Sequence, residues 1–232
     1  MPRRYILYLE PNGSNPLLQL IKDFFELSKG IGLNEAQQYR PHCSITGFFE
    51  ATTNPQGEFD PIEAFCRLID HELSRSHLHV GLGGIELDPK GKANSPRQIP
   101  SVRLTLATEG VREIAALLKD KMSNYDVHIR PKLVDHISLA YIANFPQREH
   151  SEGIYQFCSS MTNSKADSVH YDPQAYLEAA RLHFKDGLVE SNEWNLVLHE
   201  EEHSTSMNEP HKFHSVRTWN LKSLLSKAYP DR

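Results

Sequence analysis

Apolar positions recur along the chain in two periods, and the switches between them lay out its elements. Residues 4–10, Arg-Tyr-Ile-Leu-Tyr-Leu-Glu, are rich in β-formers and predict a strand. Pro11-Asn12-Gly13 is a turn. Leu17, Leu20, Ile21, Phe24 and Leu27 then fall at three- and four-residue steps, the stripe of an amphipathic helix. Ser14 or Asn15 caps it, Pro16 sits in its first turn and Gly30 stops it. A second helix opens at Asp60-Pro61-Ile62-Glu63, with Ile62, Phe65, Cys66, Ile69 and Leu73 inward. Residues 77–87 and 99–107 read as a strand hairpin around a Pro/Gly/Lys/Asn-rich loop, the first strand bent at its glycines. Thr108 caps a third helix with Val111, Ile114, Leu117 and Leu118 inside. After Phe145-Pro146 the pattern weakens, and the polar stretch 147–170 reads as a helix with a mobile insert. Asp172-Pro173 starts a fourth helix with Tyr176, Leu177 and Ala180 inward. Trp194, Leu196 and Leu198 alternate as a strand, 200–211 form a charged loop, and 212–221 return as the partner strand. The last residues read as a short helix or tail.

Two further apolar runs carry candidate chemistry. The first is Arg40-Pro41-His42-Cys43-Ser44-Ile45-Thr46-Gly47-Phe48-Phe49, a strand over 40–49. The second, over 133–143, contains Asp135-His136-Ile137-Ser138-Leu139-Ala140-Tyr141. Both read His-x-Ser, and residues two apart on a strand share a face. Each strand thus offers one imidazole and one hydroxyl on one side. Two such pairs in opposition suit an anionic substrate that needs one proton removed and another supplied. Each motif strand is the last step of a strand–helix–strand order, which predicts an internal duplication of architecture.

The chain has 13 His, so about one or two His-x-Ser/Thr matches arise by accident and context must carry the signal. A third match, His203 and Thr205, lies in the polar Glu-Glu-His-Ser-Thr-Ser stretch and has no strand character. With 232 residues, the chain reads as one large domain or two intimate lobes. Its 39% hydrophobic and 24% charged content is that of a soluble globular protein. The net charge of −5 excludes a broad polynucleotide-binding surface and leaves room for a local phosphate site. Cys43, Cys66 and Cys158 lack metal or redox spacing and read as reduced thiols, which suits the cytoplasm or nucleus. The apolar run after Arg3-Arg4 ends at Glu10-Pro11, too short for a signal peptide, and no stretch approaches a membrane span.

The paired His-x-Ser strands resemble the two-histidine (2H) phosphoesterase superfamily. His136-Ile137-Ser138-Leu139-Ala140-Tyr141 is similar to the second motif of phosphodiesterases that act on 2′,3′-cyclic nucleotides and on ADP-ribose 1″,2″-cyclic phosphate. The resemblance covers roughly residues 1–200. It implies a bilobal α+β fold, with pseudo-twofold antiparallel sheets, helices on the outer faces and a central cleft, in a single domain with 147–170 and 200–211 as loops or inserts. It implies His42 and His136 as catalytic residues, Ser44 and Ser138 as phosphate-holding hydroxyls, and Tyr141 as a substrate-contacting phenol. It also implies hydrolysis without metal or other cofactor. Thr is commoner in the family at the place of Ser44, and Thr46-Gly47-Phe48-Phe49 matches no family pattern closely.

In such a reaction water attacks the cyclic phosphodiester in line. One neutral imidazole takes the water proton, and the other, protonated, gives a proton to the departing ribose oxygen. The serine hydroxyls, with a backbone N–H near Gly47, are expected to stabilise the non-bridging oxygens. Family analogy makes His136 the base and His42 the acid. The expected partner is a small nucleotide-type substrate or an RNA end, with no membrane, and the chain is expected to be a monomer. Two rivals stand beside this reading: an RNA 3′-end exoribonuclease of the same superfamily, and a catalytically idle nucleotide- or phosphate-binding module.

Other signals read as structural. His199-Glu200-Glu201-Glu202-His203 matches His-Glu-x-x-His, but a zinc protease needs both histidines on one helical face. The preceding Trp194–Leu198 alternates as a strand, so the stretch reads as an acidic, solvated hairpin end. His77 and His79 share a strand face without a Cys or carboxylate at ligand spacing, and read as an exposed or locally bonded pair. Gly81, Gly83 and Gly84 do not precede a helix, which excludes a dinucleotide fingerprint. Phe48, Phe49 and Tyr39 read as core. Arg103 either faces the cleft as a phosphate cation or pairs on a sheet face.

Overall fold

The structure, a computed structural model, describes residues 2–52, 60–76, 78–90, 99–142, 147–149, 155–157, 169–202 and 211–221. In chain order its elements are β1 (Arg3–Pro11), α1 (Pro16–Ser28), β2 (Cys43–Ser44), β3 (Phe49–Ala51), α2 (Pro61–Leu73), β4 (Gly81–Asp88), β5 (Ser101–Ala107), α3 (Val111–Met122) and β6 (His136–Ala140). There follow β7 (Gln147–Glu149), β8 (Tyr155–Phe157), β9 (Val169–Tyr171), α4 (Pro173–Phe184), β10 (Trp194–Glu201) and β11 (Phe213–Asn220). The fold is α+β, and every strand pairing described is antiparallel.

Strand β1 is the spine. It pairs with β10 on one side and with β2 and β3 on the other, and β11 lies outside β10, which makes a five-stranded sheet. Being central, β1 is buried from Tyr5 to Pro11, which explains why its apolar run hardly alternates. Strands β4, β5 and β6 form a second sheet in that order, and β7, β8 and β9 a third. One hydrophobic core runs through the five-stranded sheet, the β4–β6 sheet and the four described helices. Within it Phe24 of α1 meets Phe184 of α4 at 5.6 Å, and Phe49 of β3 stacks on Phe65 of α2 at 5.2 Å.

Three helix starts follow their sequence signals. Asn15, Asp60 and Asp172 each accept a hydrogen bond from a first-turn amide, and each precedes a proline. The start of α3 differs. Gly110, at φ 79°, is the cap and makes no side-chain bond. Thr108 is buried, and its hydroxyl donates instead to the Val134 carbonyl, across the sheet. The helix begins at Val111, two residues past where a Thr108 cap would start it.

Other boundaries also moved. The strand expected over 40–49 is two short pieces. Both Ile45 N–H (2.9 Å) and Thr46 N–H (3.4 Å) donate to the Leu7 carbonyl, the signature of an extra residue that breaks the ladder. The helix expected in 147–170 is absent where that stretch is described; β7, β8 and the start of β9 stand there. The strand β10 runs on through Glu201, two residues into the expected loop. The expected terminal helix or tail, His77, Cys158, His203 and Thr205 lie outside the described residues.

In both halves the motif strand lies beside the strand that precedes its helix: β2 on β1 across α1, and β6 on β5 across α3. The likeness goes no further in the topology, since the sheets have five and three strands and the larger one takes in both ends of the described chain.

Candidate active site

The two His-x-Ser segments meet at neighbouring edges of the two sheets. β2 touches β6, and the His136 backbone hydrogen-bonds the Cys43 sulfur. Just beyond, Thr46 bridges Pro131, Gly47 N–H donates to the Arg130 carbonyl at 2.7 Å, and Lys132 N–H donates to the Ile45 carbonyl at 2.9 Å. Within each motif, burial alternates as a strand requires. Cys43 and Ile137 are buried, while His42, Ser44, His136 and Ser138 are half-buried. Burial pushes the Cys43 thiol up to about 12, so it stays protonated and takes no part in chemistry.

The His42 ring lies on the Tyr8 ring, centroids 3.8 Å apart and planes 24° from parallel. Tyr8 and Ser44 are register partners across β1 and β2, so this face of the sheet carries the phenol, the imidazole and the hydroxyl together. His42 Nδ1 lies 2.7 Å from the Arg40 carbonyl. A carbonyl only accepts, so Nδ1 carries the proton and the lone pair of the neutral ring is on Nε2. Arg40 is itself held: its Nε is 3.0 Å from a Glu10 carboxylate oxygen, and a second nitrogen donates to the Pro11 carbonyl at 3.3 Å. The same buried Glu10 lies 2.7 Å from His199 Nε2.

His136 is set by another device. Its Nδ1 lies 2.7 Å from Asp135 Oδ1, and both side chains are about one third exposed (36% and 27%). An ionised carboxylate also only accepts, so this ring too carries its proton on Nδ1. Asp135 follows Val134, which adopts a left-handed φ of 53° although it is β-branched and buried. That conformation is strained for valine, and the bond from Thr108 to the Val134 carbonyl holds it.

Tyr141, just past β6, is buried among Tyr39, Glu35 and Tyr8. Burial first, then those neighbours, push its phenol well above the ordinary tyrosine range. Tyr8 is pushed up in the same way, by burial and then by Tyr39, Glu10 and Glu201. Both phenols are therefore neutral hydrogen-bonding groups. Asn34 ties this corner together, donating to the Leu139 carbonyl at 2.8 Å and accepting from Tyr141 N–H at 3.3 Å.

No family model matches the chain, and no curated protein matches it. The resemblance to the two-histidine phosphoesterases is therefore one of the two sequence motifs alone.

Of the backbone amides near Gly47, its own N–H is taken by the Arg130 carbonyl. The glycine has another use: a Cβ there would stand 3.0 Å from Arg130 Nε, so the bare backbone lets the guanidinium lie against it. His199, first residue of the His-Glu-x-x-His match, sits on a strand as expected, but the stretch is not solvated: the His199, Glu200 and Glu201 side chains are 13%, 14% and 9% exposed, and His199 bonds the buried Glu10. Among the described residues no cluster of three or more His, Cys, Asp or Glu is placed to hold a metal ion, and no helix is long and apolar enough to cross a membrane. A cavity of about 650 Å³, walled by Arg4, Phe48, Glu50, Tyr125 and His128, includes neither motif histidine.

Tyr8, Glu10, Arg40 and Asp135 were missed as members of the site. Asp135 was open to inference, because a carboxylate beside a strand histidine is a ready partner for its Nδ1. Tyr8 and Glu10 carried no such signal, since only tertiary pairing brings Tyr8 under His42 and Glu10 to Arg40.

Proposed function

We propose that the chain is a metal-independent phosphodiesterase that hydrolyses a cyclic phosphodiester on a nucleotide or ADP-ribose derivative, as the two-histidine phosphoesterases do. The observation that supports it is the meeting of two His-x-Ser pairs at adjacent strand edges, each histidine with its Nδ1 proton fixed by an acceptor. Proton transfer then falls to the two Nε2 atoms. His136 acts as base: it takes a proton from the attacking water, and Asp135 fixes its tautomer and stabilises the imidazolium that forms. His42 acts as acid: the Tyr8 face supports its positive charge, and Nε2 delivers the proton to the departing ribose oxygen. Ser44 and Ser138 donate to the non-bridging oxygens as charge builds on them. Tyr141, a neutral phenol, contacts substrate. The pseudo-twofold bilobal plan, a monomeric state and a cytoplasmic location complete the reading.

The test is a turnover panel in excess chelator: the four 2′,3′-cyclic nucleotides, ADP-ribose 1″,2″-cyclic phosphate and a short RNA, with products identified by phosphorus NMR. Hydrolysis of a cyclic phosphate to a single monoester is expected. Processing of the RNA alone would make the chain a 3′-end exoribonuclease, and tight binding with no turnover of any substrate would make it a binding module.

A further inference from the structure

Arg103 sits where a phosphate cation is needed. In the register of β5 on β6, Arg103 is the direct partner of Ser138 and Thr105 the partner of His136. Direct partners project to the same face, and burial agrees: Arg103, Thr105, His136 and Ser138 are half-buried, while Val102, Leu104, Ile137 and Leu139 are core. Adjacent strands are about 4.8 Å apart, a gap that an arginine side chain spans easily. Thr105 is committed elsewhere, since its hydroxyl bonds both backbone groups of Gly84. The guanidinium of Arg103 is turned the other way, toward β4. One terminal nitrogen is 3.3 Å from Asp88 and the other 3.5 Å from Glu86. Neither contact is short, no bidentate pair forms, and Nε is buried without a hydrogen-bond partner. A planar five-donor fork held this loosely is not at rest in its best geometry.

We propose that Arg103 is a substrate-binding residue of the site, held in reserve by Glu86 and Asp88, and that it swings across β6 to pair with the phosphate seated on Ser138. The inference rests on the proposed site but concerns a distinct step, recognition of the anion. It gives the site a full positive charge to set against a phosphoester. That charge favours a dianionic monoester over the monoanionic cyclic diester, so the arginine also makes the site prone to inhibition by product.

The experiment measures binding apart from turnover. Calorimetric titration with 2′-AMP, 3′-AMP and inorganic phosphate is run on wild type, Arg103→Gln, Arg103→Lys and Glu86→Gln, with melting temperatures recorded alongside. Losing a hydrogen-bonded charge partner should weaken monoester binding about 10- to 100-fold in Arg103→Gln, with Arg103→Lys in between. Glu86→Gln should tighten binding severalfold, because it loosens the reserve position. This second arm holds even if Arg103→Gln folds poorly. Unchanged monoester affinity in Arg103→Gln or in Glu86→Gln, or no monoester binding by wild type, would overturn the proposal. If wild type binds monoesters through Arg103 yet turns over no cyclic phosphate, the arginine assignment stands and the hydrolase reading falls. If it turns over cyclic phosphate and Arg103→Gln binds monoester as wild type does, the reverse holds.

Discussion

Asp135 offers the sharpest test of how the site works. Its Oδ1 lies 2.7 Å from His136 Nδ1, so it acts on the histidine. A hydrogen bond to a charged partner contributes about 1.5–3 kcal/mol. Both side chains are about one third exposed (36% and 27%), so solvent screening places this one near the lower end. At about 1.4 kcal/mol per factor of ten, Asp135→Ala should lower kcat by about 10- to 30-fold. Asp135→Asn should lose at least as much. Its amide can turn an N–H toward Nδ1, which moves the ring proton to Nε2 and removes the lone pair the base needs. KM should stay within about threefold, because the lost interaction is not made with substrate. The assay is steady-state hydrolysis of the best cyclic phosphate between pH 5 and 9, with circular dichroism to establish the fold. Unaltered kcat in both variants, or a loss carried wholly by KM, would refute the dyad.

Other consequences are equally open to measurement. His42→Ala and His136→Ala should each lower kcat by roughly 10²- to 10⁴-fold with the fold intact, and near-normal turnover in either would end the two-histidine mechanism. Thr46→Val should cost about 1–3 kcal/mol by denaturant unfolding, since its buried hydroxyl accepts the Leu7 N–H at 3.0 Å and valine leaves that amide unsatisfied. Cys43 should resist alkylation in the native protein at pH 8 and react fully once unfolded, because burial holds its thiol up to about 12 against an ordinary 9.0. The same shift sets a direction for stability. Above pH 9 the unfolded chain releases the thiol proton that the folded chain keeps, so stability should fall as pH rises from about 9 toward 12. Tyr5 and Tyr176, each pushed up to about 12 mainly by burial, add to the loss above pH 10, and a denaturant midpoint unchanged between pH 8 and 10.5 would contradict this.

The positions where expectation and structure part share a cause. Helix starts at Asn15, Asp60 and Asp172 were legible because capping is local: the acceptor and the amides it serves lie within three residues. Thr108 carries the same local signal, yet the helix starts at Val111 behind Gly110, and the Thr108 hydroxyl donates to Val134, twenty-six residues away. The sequence placed a donor amide somewhere near Gly47; that the Gly47 N–H itself goes to Arg130, in the other half of the chain, is a tertiary fact. Arg103 was open between two readings, and the register with Ser138 and Glu86 gives ground to both.

The sequence by itself determined the periodicities, and with them an α+β chain of amphipathic helices and alternating strands. It also determined that His42 and Ser44, like His136 and Ser138, share a face, because a strand's side chains alternate whatever it packs against. It did not determine that the two motifs would lie edge to edge, that Tyr8 would lie under one imidazole, or that the Gly47 amide would be spent. Those follow from contacts between residues far apart in the chain. They depend on which strands pair and in what register, and a one-residue slip would turn every such side chain to the other face.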